Sequence, residues 1–391
     1  ITFFGSILGK GLRYGLNIVI ARGFGAEALG LFAFGMVIMK FGALFSRLGL
    51  DNAALKFVPK FSDNHEQRTG IIAICLSIPF ALGIVVTGAI FIVFEIFPEV
   101  TSPSKRAIVP LFALGIPLYA ITTIGVSTTQ AFKKTKYGVY IRDIAQSGVA
   151  LIVTAAAVIF ATQFRIVVFG YVLSFAVAAV LSALYIRGLG GFDRLSEAKA
   201  PVSEILSFSV PLMIVAVTQY VISWTDTLML GFLRPAKDLG AYFAAFQTAA
   251  LLLIVLQAVN SVFPPLASEL HDREDWTTLG QIYNTLTKWM FSLTLLGTIY
   301  IFLFDSIILV IFDITSRAAA ISLVSLAVGQ LIAVSVGPAG FLLSMTGYER
   351  LETFNTIVVA LINVVLNYIL IVSHGIIGAA TATAISLSLL N

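Results

Sequence analysis

The sequence predicts an all-α, polytopic membrane protein, and three observations carry that expectation. Hydrophobic residues fill 59% of its 391 positions and charged residues only 11%, against roughly 25% charged in an average soluble domain. Apolar stretches of about 20 residues, the length a helix needs to cross a bilayer, recur along the chain between short charged connections. With the amino terminus placed inside, the inward connections hold about twice as many Lys and Arg residues as the outward ones, the bias that orients membrane proteins. A water-soluble fold of this size could not hide so much apolar surface, whereas a bilayer accepts it.

In chain order the predicted spans run 1–21, 28–48, 70–94, 108–131, 140–162 and 166–186, then 206–232, 239–262, 287–312, 319–344, 353–373 and 375–391. That makes about twelve transmembrane helices. The longest polar connections are 187–204, 49–69 and 263–286, and the first of these separates an N-terminal six-helix bundle, 1–186, from a C-terminal one, 205–391, and is expected to be a cytoplasmic linker between lobes. Ile1 opens inside an apolar stretch and Asn391 stops in mid-pattern. The chain therefore reads as a fragment with a truncated C-terminal bundle, twelve being a lower bound and the full length holding up to fourteen.

The halves resemble each other. Ala26-Glu27-Ala28-Leu29-Gly30 matches Ala236-Lys237-Asp238-Leu239-Gly240 at a shift of 210, Asn52 matches Asn260 at 208, and Thr135-Lys136-Tyr137 matches Thr346-Gly347-Tyr348 at 211. Three matches in one order at a nearly constant shift predict a duplication: two pseudo-symmetric bundles around a central cleft, related by an axis along the membrane normal.

Other classes are excluded by what is scarce. Cys75 is the only cysteine and sits in an apolar run, so neither an internal disulfide nor a thiolate metal site is expected. His65, His271 and His374 fall in connections without a metal-ligand spacing, which argues against a membrane metalloenzyme. A net charge of +4 needs no nucleic-acid partner, because inward loops are basic anyway. The largest connection is short and holds no Asp-x-Asp, which argues against a membrane glycosyltransferase or polymerase.

Polar residues inside spans carry the chemistry. Lys10, Arg13 and Asn17 share one helical face at i, i+3 and i+7, and Lys40 and Arg47 are seven apart in the next span. A cation at mid-membrane costs about 2.5–3.5 kcal/mol on insertion scales, so it normally faces a wet cavity or a partner. These residues are expected to form a cationic half-cleft for a phosphate or pyrophosphate; the alternative, strongest for Arg47 at a span end, is snorkelling to the inner interface. Gln219, Ser223 and Asp226 repeat the pattern at i, i+4 and i+7. Asp226 is a candidate proton or sodium site, or else an interhelical pairing group. Gln247, with Gln257, Asn260 and Gln330, offers amides to sugar hydroxyls, while Asn363 and Asn367 suit helix-to-helix bonding better.

The motif IARGFGAEALGLFAF resembles the first-loop signature of the polysaccharide-transport, or oligosaccharide flippase, family of the multidrug/oligosaccharidyl-lipid/polysaccharide exporter superfamily, with Phe24 where Leu is usual. ILSFSVPLMIVAVTQYVISWTDTLMLGFLRPAKDLGAYFAAF is similar to the opening of that family's second half, and NTIVVALINVVLNYILI followed by HGIIGAATATAISL to its paired late helices. The resemblance implies a non-enzymatic flippase or exporter in the cytoplasmic membrane that moves a lipid-linked oligosaccharide or polysaccharide precursor by alternating access. It implies H+ or Na+ as a coupling ion, no other cofactor, and membrane lipids and other polysaccharide-assembly membrane proteins as partners. The alternative is a multidrug and toxin extrusion antiporter, against which the cationic first spans count.

Overall fold

The fold was examined in a computed structural model, which describes residues 2–97, 102–193, 199–260 and 262–390. Residues 98–101 of a predicted outward connection and 194–198 of the predicted linker lie outside the described residues. Every regular element among those described is helical: α1 (Thr2–Arg47), α2 (Leu50–Lys60), α3 (His65–Ile96), α4 (Pro103–Ala113), α5 (Ile116–Ala131), α6 (Thr135–Gly138), a π-helical segment (Val139–Gln146), α7 (Ser147–Ile159), α8 (Phe164–Gly188) and α9 (Val202–Leu233). There follow α10 (Ala236–Ala249), a 3₁₀ turn (Ala250–Leu252), α11 (Leu253–Asn260), α12 (Phe263–Asp272), α13 (Trp276–Val310), α14 (Arg317–Ser335), α15 (Ala339–Met345) and α16 (Glu349–Leu390).

Nine helical stretches among the described residues are long and apolar enough to cross a membrane, or ten if α4 and α5, bent by 43°, form one span. The sequence expectation of twelve counts two of these stretches twice. α1 breaks at Gly25 (φ 83°) and α16 at Gly375 (φ 60°), backbone conformations that glycine adopts without a Cβ penalty. Both breaks are reversals. Along α16, Asn355 Nδ2 donates to the carbonyl of Leu390 and Asn363 Nδ2 to Ser386 Oγ, the pairing of two antiparallel helices folded at Gly375. In α1, Gly5, Gly9 and Gly23 approach Val139, Asp143 and Val158 in step, while Phe32, beyond Gly25, packs its ring on Phe112.

The chain divides into two compact units, Ile1–Phe24 with Leu31–Tyr220 and Gly25–Gly30 with Val221–Asn391. The division falls inside α9 and not at 187–204, for a visible reason. Lys199 N donates to the carbonyl of Glu66, and Lys60 Nζ sits 3.0 Å from Glu204 Oε1, so the chain after the expected linker stays fastened to the first unit.

In the first unit, Phe32, Phe112 and Tyr171 interlock edge to face in the core. The 49–69 stretch, read from sequence as a polar connection, contains α2, which buries Leu50, Ala53, Ala54, Phe57 and Val58 and leaves Lys56 and Lys60 exposed. In the second unit the first turns of α10 and the 26–30 segment meet reciprocally. A β-carbon on Gly30 would overlap the carbonyl oxygen of Ala236, and one on Gly240 that of Ala26. On α13, Trp289, Leu296 and Phe302 stay exposed, as expected of side chains whose solvent is lipid.

Candidate functional site

The cations predicted on α1 converge on a carboxylate that the sequence reading did not single out. Asp143 lies in the π-helical segment with 1% of its side chain exposed. Gly9 lets the two backbones close: a β-carbon there would stand 2.5 Å from Asp143 Cβ. The Arg13 guanidinium, one turn further along α1, reaches Asp143 Oδ1 at 3.1 Å and also donates to Ser147 Oγ at 3.2 Å. Ser6 Oγ donates to Asp143 Oδ2, and Arg142 Nε lies 3.5 Å from Oδ1. π-Helical turns are uncommon and concentrate at functional sites; here the wider turn carries Arg142 and Asp143 side by side.

Lys10 and Lys40 belong to the same electrostatic cluster, Lys10 interacting with Arg13 and Asp143 and Lys40 with Arg13 and Arg142. Three cations, Lys10, Arg13 and Arg142, thus act on the Asp143 carboxylate, and Lys40 adds a fourth positive charge beside the two guanidinium groups. The Arg13 side chain is 39% exposed and that of Arg142 59%, while Asp143 is buried. Planar guanidinium forks suit phosphate oxygens. Asn17 is buried on α1 one turn beyond Arg13.

Other predicted residues stand elsewhere. Arg47 pairs with Asp51 at 3.1 Å and bonds back to the carbonyl of Ala43, which ties it across the α1–α2 corner. Gln219 and Ser223 are exposed on α9, whereas Asp226 on the same helix is buried, so the three do not share one environment. Gln247 is half-buried on α10 in the second unit. Asn363 and Asn367 use their amide donors within α16, and their Oδ1 atoms are buried without a hydrogen-bond partner.

Asp226 is the buried carboxylate of the second unit. It accepts hydrogen bonds from the hydroxyl of Tyr242 on α10, from Thr383 Oγ1 on α16 at 3.2 Å, and from the amide and hydroxyl of Thr227 at 2.6 and 3.2 Å. These donors are all neutral. They join α9 to α10 and to the second half of α16, all within one unit.

The family profile described as Polysaccharide biosynthesis protein matches residues 1–271, and one described as MatE matches residues 211–369. The chain is 25% identical over 392 aligned residues to the probable low-salt glycan biosynthesis flippase Agl15 of Haloferax volcanii, covering 98% of this chain and 79% of that protein. Its fold is similar to that of a multidrug resistance MATE family transporter of the MOP superfamily in an inward-facing conformation (TM-score 0.80, 13% identity, 97% and 91% of the two chains). It is also similar to the lipid II flippase MurJ in an inward closed conformation (TM-score 0.73, 16% identity, 100% and 84%).

Proposed function

The chain belongs to the Polysaccharide biosynthesis protein family, and from that premise we propose that it is a flippase that translocates a lipid-linked oligosaccharide or polysaccharide precursor by alternating access. It is a transporter and not an enzyme. The observation that carries the reading is the cluster of cations in which Lys10, Arg13 and Arg142 meet the buried Asp143 carboxylate and Lys40 lies within electrostatic reach of Arg13 and Arg142. A phosphate or pyrophosphate linking lipid to glycan is the group such a cluster fits, with the guanidinium of Arg13 shared between Asp143 and the incoming anion.

The physical task is to carry hydroxyls and phosphate past hydrocarbon, where each unpaired polar group costs several kcal/mol. A protein surface lined with cations and amides removes most of that barrier while the lipid tail stays in the bilayer. Asn17 and the exposed Gln219, with Gln247, are the amides assigned to glycan hydroxyls, and Arg47 is assigned an outlying role near its Asp51 partner. Asp226 is assigned the coupling ion, H+ or Na+, since a cation is what its neutral ring of donors lacks. The protein resides in the cytoplasmic membrane with its amino terminus inside, among lipids and other polysaccharide-assembly membrane proteins.

The test uses purified protein in liposomes, with a fluorescent lipid-linked saccharide and a cationic dye followed in parallel. A charge-assisted hydrogen bond contributes about 1.5–3 kcal/mol, so Arg13→Ala with Lys10→Ala is expected to slow saccharide translocation by roughly ten- to a hundredfold at matched protein level. Arg13→Lys should restore part of the rate and Arg13→Gln little. Dye movement that rises in the double variant while saccharide translocation is unchanged would overturn the reading in favour of drug extrusion.

A further inference from the structure

A cavity of about 580 Å³ lies in the second unit where α12 and the first turns of α13 meet α15 and the turn after it. Its walls are mostly apolar, made by the rings of Trp276, Tyr283 and Tyr348 and by Leu279, Leu342 and Leu343, with His271, the Asn284 amide, the Thr346 hydroxyl and Gly280 among them. Two of these rings are fixed by contacts. Tyr283 donates its hydroxyl to the carbonyl of Val336, and the His271 ring packs edge-on to Trp276 at 4.9 Å between centroids. Trp276 and Tyr348 keep more than half their surface free, at 55% and 59%. His271 Nδ1 is buried and has no hydrogen-bond partner.

We propose that this cavity is a binding site for neutral sugar residues of the glycan, a conclusion that rests on the flippase reading above. A pyranose ring offers a C–H face that lies on an aromatic ring and a rim of hydroxyls that pair with amide and hydroxyl groups, and the walls present both chemistries in Trp276, Tyr348, Asn284 and Thr346. A phosphate does not fit. None of the lining residues is Lys or Arg, and the turn leading into α13 carries Asp272, Glu274 and Asp275 against Arg273 alone. A hydrocarbon chain would cover the leucines but would desolvate the Asn284 amide without supplying it a partner.

Gly280 supplies a clean way to close the cavity. A β-carbon there meets nothing within 4 Å, so Gly280→Leu extends into open space without displacing the protein, and the exchange favours the helix. With Trp224→Phe and Trp289→Phe, Trp276 becomes the sole tryptophan. In lipid nanodiscs, titration with neutral tetrasaccharides of glucose, galactose and mannose should change Trp276 emission saturably for at least one of them. That affinity should fall at least tenfold in Gly280→Leu and in Asn284→Ala, and decyl phosphate should have no effect. No response to any tetrasaccharide, an equal response to decyl phosphate, or an unaltered affinity in Gly280→Leu overturns the proposal. The flippase reading is judged separately, by whether the unsubstituted protein translocates the lipid-linked saccharide in liposomes. Translocation without a saccharide response at Trp276 rejects only the cavity assignment, and a saccharide response without translocation rejects only the flippase.

Discussion

The two buried carboxylates differ in what holds them. Asp143 faces two guanidinium groups, whereas Asp226 faces three hydroxyls and an amide. Asp143→Asn removes the charge that Arg13 leans on. Breaking a buried pair costs about 3–5 kcal/mol, and the partial exposure of Arg13 reduces this to about 1–2 kcal/mol, so a lower unfolding temperature in detergent is expected. Asp226→Asn keeps the shape and most of the hydrogen bonds. If Asp226 carries the coupling ion, translocation should fall by roughly tenfold, about 1.4 kcal/mol on the barrier, with little change in folded yield, and its response to pH or sodium should vanish. Normal transport across the pH and sodium range would leave Asp226 only a structural bond. Lys10, Arg13 and Lys40 were legible because a charged residue inside an apolar run stands out, but Arg142 and the partner of Arg13 were not, Asp143 lying 130 residues away from Arg13 in sequence. A usable signal did exist: Arg142 and Asp143 both fall inside the span drawn from 140, and adjacent opposite charges within a span ask for a partner.

At the level of elements, hydropathy located nearly every long helix and could not locate the places where the backbone must turn or touch. Gly30 and Gly240 are the clearest case. From sequence, 26–30 and 236–240 read as copies of one motif; in the fold the two copies lie against each other, each glycine facing a carbonyl of the other segment. Gly30→Ala and Gly240→Ala should each destabilise the second unit by about 1–3 kcal/mol, the usual cost of overpacking. The double variant should cost less than the sum, since one displacement relieves both clashes. Thermal unfolding in detergent measures this, and an unchanged midpoint in both single variants would mean the segments are apart. α2 escaped notice for a related reason: its apolar face is only one side of eleven residues, too short for a window tuned to membrane spans.

At the scale of the whole molecule, orientation follows from where the folded chain collects its cations. One end of the first unit gathers segments far apart in sequence. Arg68 donates to the carbonyl of Gly190 at 2.9 Å and lies over the Phe132 ring, Thr69 donates to the carbonyl of Asp193, and Lys60 pairs with Glu204. Lys56, Lys133, Lys134, Lys136 and Arg187 lie on these same segments. The opposite end, where Phe24 packs on Phe164, has Arg22 and Arg165 nearby, with Lys105 and Arg106 in the first turn of α4. Lys and Arg near span ends are retained on the cytoplasmic side, and acidic residues contribute little to that choice. The richer end should therefore face the cytoplasm, which also puts the amino-terminal turns of α1, with Lys10 and Arg13, toward the leaflet where lipid-linked precursors would load. An enzymatic reporter inserted after Gly190 should be active only in the cytoplasm, one after Glu274 likewise, and one after Ser102 only outside. Reporters after Gly190 and Ser102 that score on the same side would mean an even number of crossings between them, and the orientation of the cationic site would have to be drawn afresh.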